Sequence, residues 1–154
     1  MDLGDLIKPD QIIPALRAKS KKQLLQELST RAAQHAGAGQ QLIFEMLLQR
    51  ESLGSTGIGK GVAIPHVRLP GLERIHCLFA RLEEPIDFES SDREPVDLVF
   101  LLLAPEAAGA DHLKALARIS RLLREPSTIE KLRSSKKKAA LYSILTEPLA
   151  SSAA

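Results

Sequence analysis

The chain contains one cysteine, no tryptophan, one tyrosine and four phenylalanines in 154 residues. A lone Cys77 cannot close an internal disulfide, and its place inside an apolar segment marks it as a small buried hydrophobe suited to a reducing compartment. Aromatics at 3% leave no interleaved stacking platform, and 21 Lys plus Arg against 19 Asp plus Glu give a formal charge of only +2, too little for a nucleic-acid footprint. No apolar run approaches the roughly 20 residues of a membrane helix. The opening Met1-Asp2-Leu3-Gly4-Asp5-Leu6-Ile7 lacks the basic-then-apolar pattern of a signal peptide. These absences predict a cytoplasmic protein that neither enters a membrane nor binds nucleic acid. What is present is 44% apolar residues, enough for one domain with a real core in a chain too short for two.

The apolar pattern predicts helices first, strands in the middle and helices last. Pro9 and Pro14 favour a turn followed by an extended piece around Ile12 and Ile13. A Ser20/Gln23 capping box opens a helix carrying Leu24, Leu25, Leu28 and Ala32 on one face and ending near Gly37. Gln40 to Leu53 repeats the pattern through Leu42, Ile43, Met46 and Leu47. Strands are expected at Val62–Ile64, Ile75–Leu82 and Val96–Leu103, the last almost unbroken in apolar residues, so that both its faces should be covered. Pro85-Ile86-Asp87-Phe88 and the polar run to Pro95 are expected to form a connection outside the core. Leu113, Leu116, Ala117, Ser120 and Leu123 then make the apolar face of a helix ending at Pro126, and Ser127-Thr128-Ile129-Glu130 is a capping box for a further short one. A last helix carries Leu141, Ile144 and Leu145. The expected architecture is a three-layer α/β/α domain over residues 1–147, with a small mixed sheet flanked by helices on both faces. Residues 148–154, without periodicity, are expected to be a flexible tail.

Chemistry concentrates at Gly54-Ser55-Thr56-Gly57-Ile58-Gly59-Lys60-Gly61-Val62-Ala63-Ile64-Pro65-His66-Val67-Arg68. Gly54 to Gly61 spells G-x-x-x-x-G-K-G, but a P-loop needs Ser or Thr after the lysine and a strand before the loop, whereas Gly61 follows Lys60 and a helix precedes. Nucleotide hydrolysis is therefore excluded. Two readings of the glycines stand: a surface loop that turns the chain, or a cradle whose N–H groups, with Ser55, Thr56, Gly57, Arg50 and Arg68, bind phosphate oxygens. His66 is either a strand-end histidine satisfied by a backbone carbonyl or a neutral imidazole with one nitrogen free to attack phosphorus. Pro65 stiffens the approach to it.

His112 falls in the first turn of a helix, off its predicted apolar face, where the positive end of the dipole favours an anion. It either supports a phosphoryl group or is merely solvated. Two distant histidines without a third ligand at metal spacing do not make a zinc site, so no metal is expected. His35 and His76 read as structural. Lys114, Arg118, Arg121 and Arg124 line one side of the His112 helix as a solvated face or a docking patch for an acidic partner. Lys136-Lys137-Lys138 is too short to read as a site.

Leu53-Gly54-Ser55-Thr56-Gly57-Ile58-Gly59 with Gly61-Val62-Ala63-Ile64-Pro65-His66 resembles the phosphorylation-site region of the fructose/mannitol class of enzyme IIA proteins of the phosphoenolpyruvate-dependent phosphotransferase system. Further matches are Arg50-Glu51, Pro85-Ile86-Asp87-Phe88, the stretch Pro95 to Pro105 and His112-Leu113-Lys114-Ala115-Leu116-Ala117, so that the resemblance spans essentially residues 2–146. The glycine loop and the opening Asp5-Leu6-Ile7 resemble the nitrogen-regulatory branch. The resemblance implies a transient phosphohistidine on Nε2 of His66, received from a histidine-containing phosphocarrier protein of the HPr or NPr type, with His112 and Arg50 lining the site. It implies no cofactor, no small-molecule turnover of the chain's own, and regulatory targets such as kinases or transporters. A sugar-specific enzyme IIA passing the group to a IIB domain, and an interaction module that is not phosphorylated, are the alternatives.

Overall fold

In the computed structural model residues 2–147 are described, and the tail expected at 148–154 lies outside them. After two short 3₁₀ turns, Leu3–Asp5 and Pro9–Gln11, comes strand β1, Ile12–Leu16. Helices α1, Lys21–Ala36, and α2, Gln40–Ser52, follow, then three short strands: β2, Gly57–Gly59, β3, Val62–Ala63, and β4, His66–Leu69. Two long strands, β5, His76–Ile86, and β6, Val96–Pro105, precede helices α3, Ala110–Leu122, α4, Pro126–Ser134, and α5, Lys138–Thr146. The sheet runs β1-β5-β6-β3-β2, with β4 also on β6. It is mixed: β5 and β6 are antiparallel, β2 and β3 are antiparallel, and β1/β5, β3/β6 and β4/β6 are parallel.

β6 is central because every residue from Leu98 to Ala104 is buried. Its Val99, Leu101 and Leu103 face α1 and α2, while Leu98, Phe100 and Leu102 join the core under α3, α4 and α5. Alternation with both faces covered turns a period-2 strand into a continuous apolar run. The three-layer arrangement is the expected one. α1 begins as expected too: Ser20 Oγ accepts from Gln23 N at 3.1 Å, although the Gln23 side chain reaches Lys19 N at 2.6 Å instead of closing back on Ser20. It stops at Gly37, whose φ of +72° is the left-handed value that ends helices.

β3 and β4 are two halves of one interrupted strand. Val62 and Ala63 pair with Leu98 and Val99, His66 to Leu69 pair with Leu102 to Pro105, and Leu102 N donates to Pro65 O at 3.0 Å across the break. The break at Ile64-Pro65 follows from proline having no N–H for a ladder.

Three expectations are corrected. β5 continues through Pro85 to Ile86, and Phe88 is fully buried. The charged residues around them point outward, while the two apolar side chains turn in against α1 and β6, a distinction that segment polarity hides. α4 starts at Pro126, with Glu125 at its N-cap, in place of the Ser127 capping box, because proline's fixed φ suits the first helical position. In α3 the buried face is His112, Ala115, Arg118, Ile119 and Leu122, and Leu113 is 62% exposed. Leucines recur at helical spacing on both sides of α3, and the small Ala115 lets the backbone approach β6 closely. Arg118 therefore does not belong to the solvated stripe: it is buried, with Nε and Nη1 lacking partners among the described residues. Its aliphatic stem supplies the apolar contact.

Candidate functional site

His66 opens β4, immediately after the break, and its ring folds back so that Nδ1 lies 2.7 Å from Ile64 O. A carbonyl oxygen only accepts, so Nδ1 carries the proton and Nε2 holds the free lone pair. Burial lowers the pKa of the half-buried imidazole, the Ile64 carbonyl opposes that shift, the Arg50 charge adds to it and the Glu51 charge opposes it. The net shift is downward, which favours the neutral ring. Both features attributed to His66 in the sequence, the satisfied carbonyl contact and the free nitrogen, are present at once.

His112 sits beside it, ring centroids 5.9 Å apart and planes at 86°. It is 6% exposed, so of the two readings of this histidine the merely solvated one does not hold, although the sequence pattern places it off the apolar face of α3. Arg68 Nε donates to His112 Nδ1 at 3.0 Å, which places the His112 proton on Nε2. Burial, then the Arg68 charge, then His66 lower its pKa. The two imidazoles thus hold opposite tautomers: His66 offers a lone pair on Nε2, His112 an N–H donor on Nε2. Arg50, at the end of α2, donates from Nη1 to Gly54 O at 2.9 Å, which anchors its guanidinium at the mouth of the loop.

The glycine stretch is built differently from a nest. It forms a hairpin of β2 and β3, and its donors turn inward. Thr56 is buried, donating its N–H to Glu51 Oε1 at 3.0 Å and its hydroxyl to Glu51 Oε2. Ser55 Oγ donates to Phe88 O at 3.0 Å and accepts from Gly57 N at 3.1 Å. Gly57 is glycine for packing, since a Cβ there would lie 2.1 Å from Ser90 Oγ. The cradle expected from Ser55, Thr56 and Gly57 is therefore committed to internal bonds in this arrangement, and Arg68 is committed to His112. The hairpin tip is clamped as well: Lys60 N donates to Asp92 Oδ2 at 2.9 Å, and Arg133, bonded through Nε to Asp97, donates from Nη2 to Lys60 O at 2.5 Å.

The sequence pattern assigns no role to Glu51, Lys21 or Phe88. Lys21 Nζ lies 3.0 Å from Glu51 Oε1 and 4.5 Å from the centroid of the Phe88 ring. A signal was available: an acidic residue in the last turn of α2 opposes the helix dipole, and such a local conflict marks a place where something else decides. Burial pushes the Cys77 thiol far up, which makes it inert. Among the described residues no group of three or more His, Cys, Asp or Glu is arranged to hold a metal ion. No helix among them is long and apolar enough to cross a membrane. A cavity of about 700 Å³ at the hairpin tip, lined by Lys60, Asp97, Ile129 and Arg133 among others, includes neither histidine of the site.

The mixed sheet between helical layers that carries this imidazole is the fold of a known class. The chain belongs to the EIIA 2 family of the phosphoenolpyruvate-dependent sugar phosphotransferase system, whose family model matches residues 5–147. Within it the likeness is to the nitrogen-regulatory branch. The chain is 60% identical over 153 residues to a nitrogen regulatory protein of Bradyrhizobium diazoefficiens, covering 99% of this chain and all of the relative. It is 38% identical over 146 residues to that of Pseudomonas aeruginosa, covering 94% and 95% of the two chains. The crystal structure of the nitrogen regulatory protein IIA-Ntr of Neisseria meningitidis superposes with a TM-score of 0.89 at 35% identity, covering 94% of this chain and 99% of that one.

Proposed function

We propose that the chain is the phosphohistidine-carrying regulatory component of a nitrogen-related phosphotransferase system, with residues 1–147 as its working unit. It accepts a phosphoryl group on Nε2 of His66 from a histidine-containing phosphocarrier protein and thereby changes its binding to regulatory targets such as kinases or transporters. The observation that carries this is the 2.7 Å contact between Nδ1 and Ile64 O, which leaves Nε2 as the nucleophilic nitrogen.

The neutral Nε2 lone pair attacks phosphorus in line with the donor's phosphohistidine, the Nε2–P bond forming as the donor's N–P bond breaks. The electron pair of the broken bond stays on the donor's imidazole. The Nδ1 proton remains in place, and its bond to Ile64 O strengthens as the His66 ring becomes positive. His112 Nε2–H, the Arg50 guanidinium and the N-terminus of α3 stabilise the three equatorial oxygens. An acceptor that is only partly buried admits a protein donor. The added charge, about −1.5 to −2 by analogy with other phosphorylated side chains, alters the local field that partners meet.

Incubation with an active phosphoryl donor system should give acid-labile phosphate on the wild type and none on His66→Ala. No label on the wild type would favour a binding module without phosphorylation. Rapid onward transfer to a sugar-specific IIB, with sugar phosphate formed, would replace the regulatory role by a transport one.

A further inference from the structure

We propose that Glu51, held by Lys21, is the positioning residue of the phosphoryl-accepting histidine, acting through Thr56 and Ile64. The proposal rests on the assignment of His66 as acceptor. The connection is continuous. Lys21 Nζ reaches Glu51 Oε1 at 3.0 Å. The Glu51 carboxylate takes both donors of Thr56, N–H at 3.0 Å and hydroxyl. Thr56 O accepts from Ile64 N at 3.0 Å, and Ile64 O meets His66 Nδ1 at 2.7 Å. The hydrogen-bonded path from the carboxylate to the imidazole thus runs through the backbones of two residues, Thr56 and Ile64, the first of which Glu51 holds by both its donors.

The cost of building this connection argues that it does more than hold a loop. Glu51 is 8% exposed and sits in the last turn of α2, where the helix dipole disfavours an anion. A buried carboxylate is tolerated only when paired and fully hydrogen-bonded. Here a cation from α1, an amide and a hydroxyl supply the pairing, and the cation is itself seated over the Phe88 ring. A loop that needed only to be closed could use neutral partners. A carboxylate at this place also has an electrostatic reach to His66, favouring its charged form against Arg50 and burial. That is the direction required when phosphorylation turns the ring positive.

The test compares wild type, Glu51→Gln, Thr56→Val and Thr56→Ser as full-length proteins, with two readouts. Imidazole nitrogen NMR gives the His66 tautomer and titration midpoint with no phosphoryl donor present, and rapid-quench transfer from the phosphorylated phosphocarrier gives rate and donor affinity separately. The expected result for Glu51→Gln and Thr56→Val is a mixed His66 tautomer and a transfer rate about 10- to 100-fold slower, the loss typical of a displaced nucleophile. Donor affinity should stay unchanged, the His66 midpoint should fall in Glu51→Gln, and Thr56→Ser, which keeps the hydroxyl, should recover most of the rate. A folded Glu51→Gln with the wild-type tautomer and rate overturns the proposal. If Glu51→Gln fails to fold, Thr56→Val decides by the same criteria. Failure of the wild type itself to accept phosphate overturns the assignment of His66 instead, and the NMR comparison still reads the link to Glu51.

Discussion

Arg68 Nε donates to Nδ1 of His112 at 3.0 Å, and this one bond determines which nitrogen of His112 is a donor. Arg68 thus acts on a phosphoryl group at His66 through its neighbour, by holding a tautomer.

Arg68→Met should release that tautomer. With the guanidinium gone the His112 titration midpoint rises, because a positive charge that disfavoured the imidazolium has been removed. Phosphoryl transfer should slow by about 10-fold, less than the 10²–10³ that deletion of a preorganised donor costs. Nitrogen NMR of the His112 ring and quench-flow kinetics check the two effects. An unchanged midpoint would place the Arg68 charge outside the site.

Acid should destabilise the fold before the carboxylates titrate. Burial lowers the pKa of His66, His76 and His112 alike. As pH falls below the ordinary imidazole value the unfolded chain takes up protons that the folded one does not, so stability is complete above that value and declines below it. Urea unfolding between pH 7.5 and 5.0, values chosen to bracket the ordinary imidazole pKa of about 6.5, should show the decline. Phosphoryl acceptance should persist further into acid than an ordinary imidazole allows, since the neutral nucleophile survives there.

Gly61→Ala should cost more stability than Gly71→Ala. Both glycines have left-handed backbones, with φ of +81° and +83°. At Gly71 nothing lies within 4 Å of an added Cβ, so strain alone is added, about 1 kcal/mol. At Gly61 the Cβ would meet Arg133 Nη2 at 2.1 Å and Asp97 Oδ1 at 3.1 Å, displacing the clamp on the hairpin tip. A total of about 2–3 kcal/mol is expected there. Equal costs in denaturant unfolding would mean that the clamp contributes nothing.

Leu53 and Leu113, 81% and 62% exposed, follow the α2 residues that bear Arg50 and the α3 residue His112 respectively. Leu53→Ser and Leu113→Ser should leave unfolding free energy within about 0.5 kcal/mol of wild type, as surface changes do. They should weaken the encounter with a phosphorylated donor, raising the donor concentration needed for half-maximal rate without changing the rate at saturation. Loss of stability instead would show that these leucines pack within the fold.

Much of the architecture was legible in residue order alone. The Ser20 cap, Gly37 and the stretch Val96 to Leu103, apolar except for Asp97, each impose a local geometry that no tertiary contact needs to correct. The apolar pattern misplaces the buried face of the His112 helix because Leu113, Leu116 and Ala117 outweigh Ala115 in a count of apolar side chains, whereas packing favours the smaller residue and the stem of Arg118. Within the site, the pairing of His66 with His112 follows from the family pattern. The inward turn of Ser55 and Thr56 does not, because their partners, Phe88 O and Glu51, are selected by folding and not by spacing. A hydroxyl beside a glycine reads the same whether it faces solvent or a carboxylate.

The interruption of the strand along β6 carries a consequence for insertions and deletions. Only Ile64 and Pro65 separate β3 from β4, and each half is in register with its own stretch of the central strand. Adding or deleting one residue there would leave the pairing of β4 possible but invert it: Val67 would take the solvent side and the imidazole would be driven toward the core beside α2. The two-residue spacer is thus under a parity constraint: a change of one residue reverses which face of the sheet carries the imidazole.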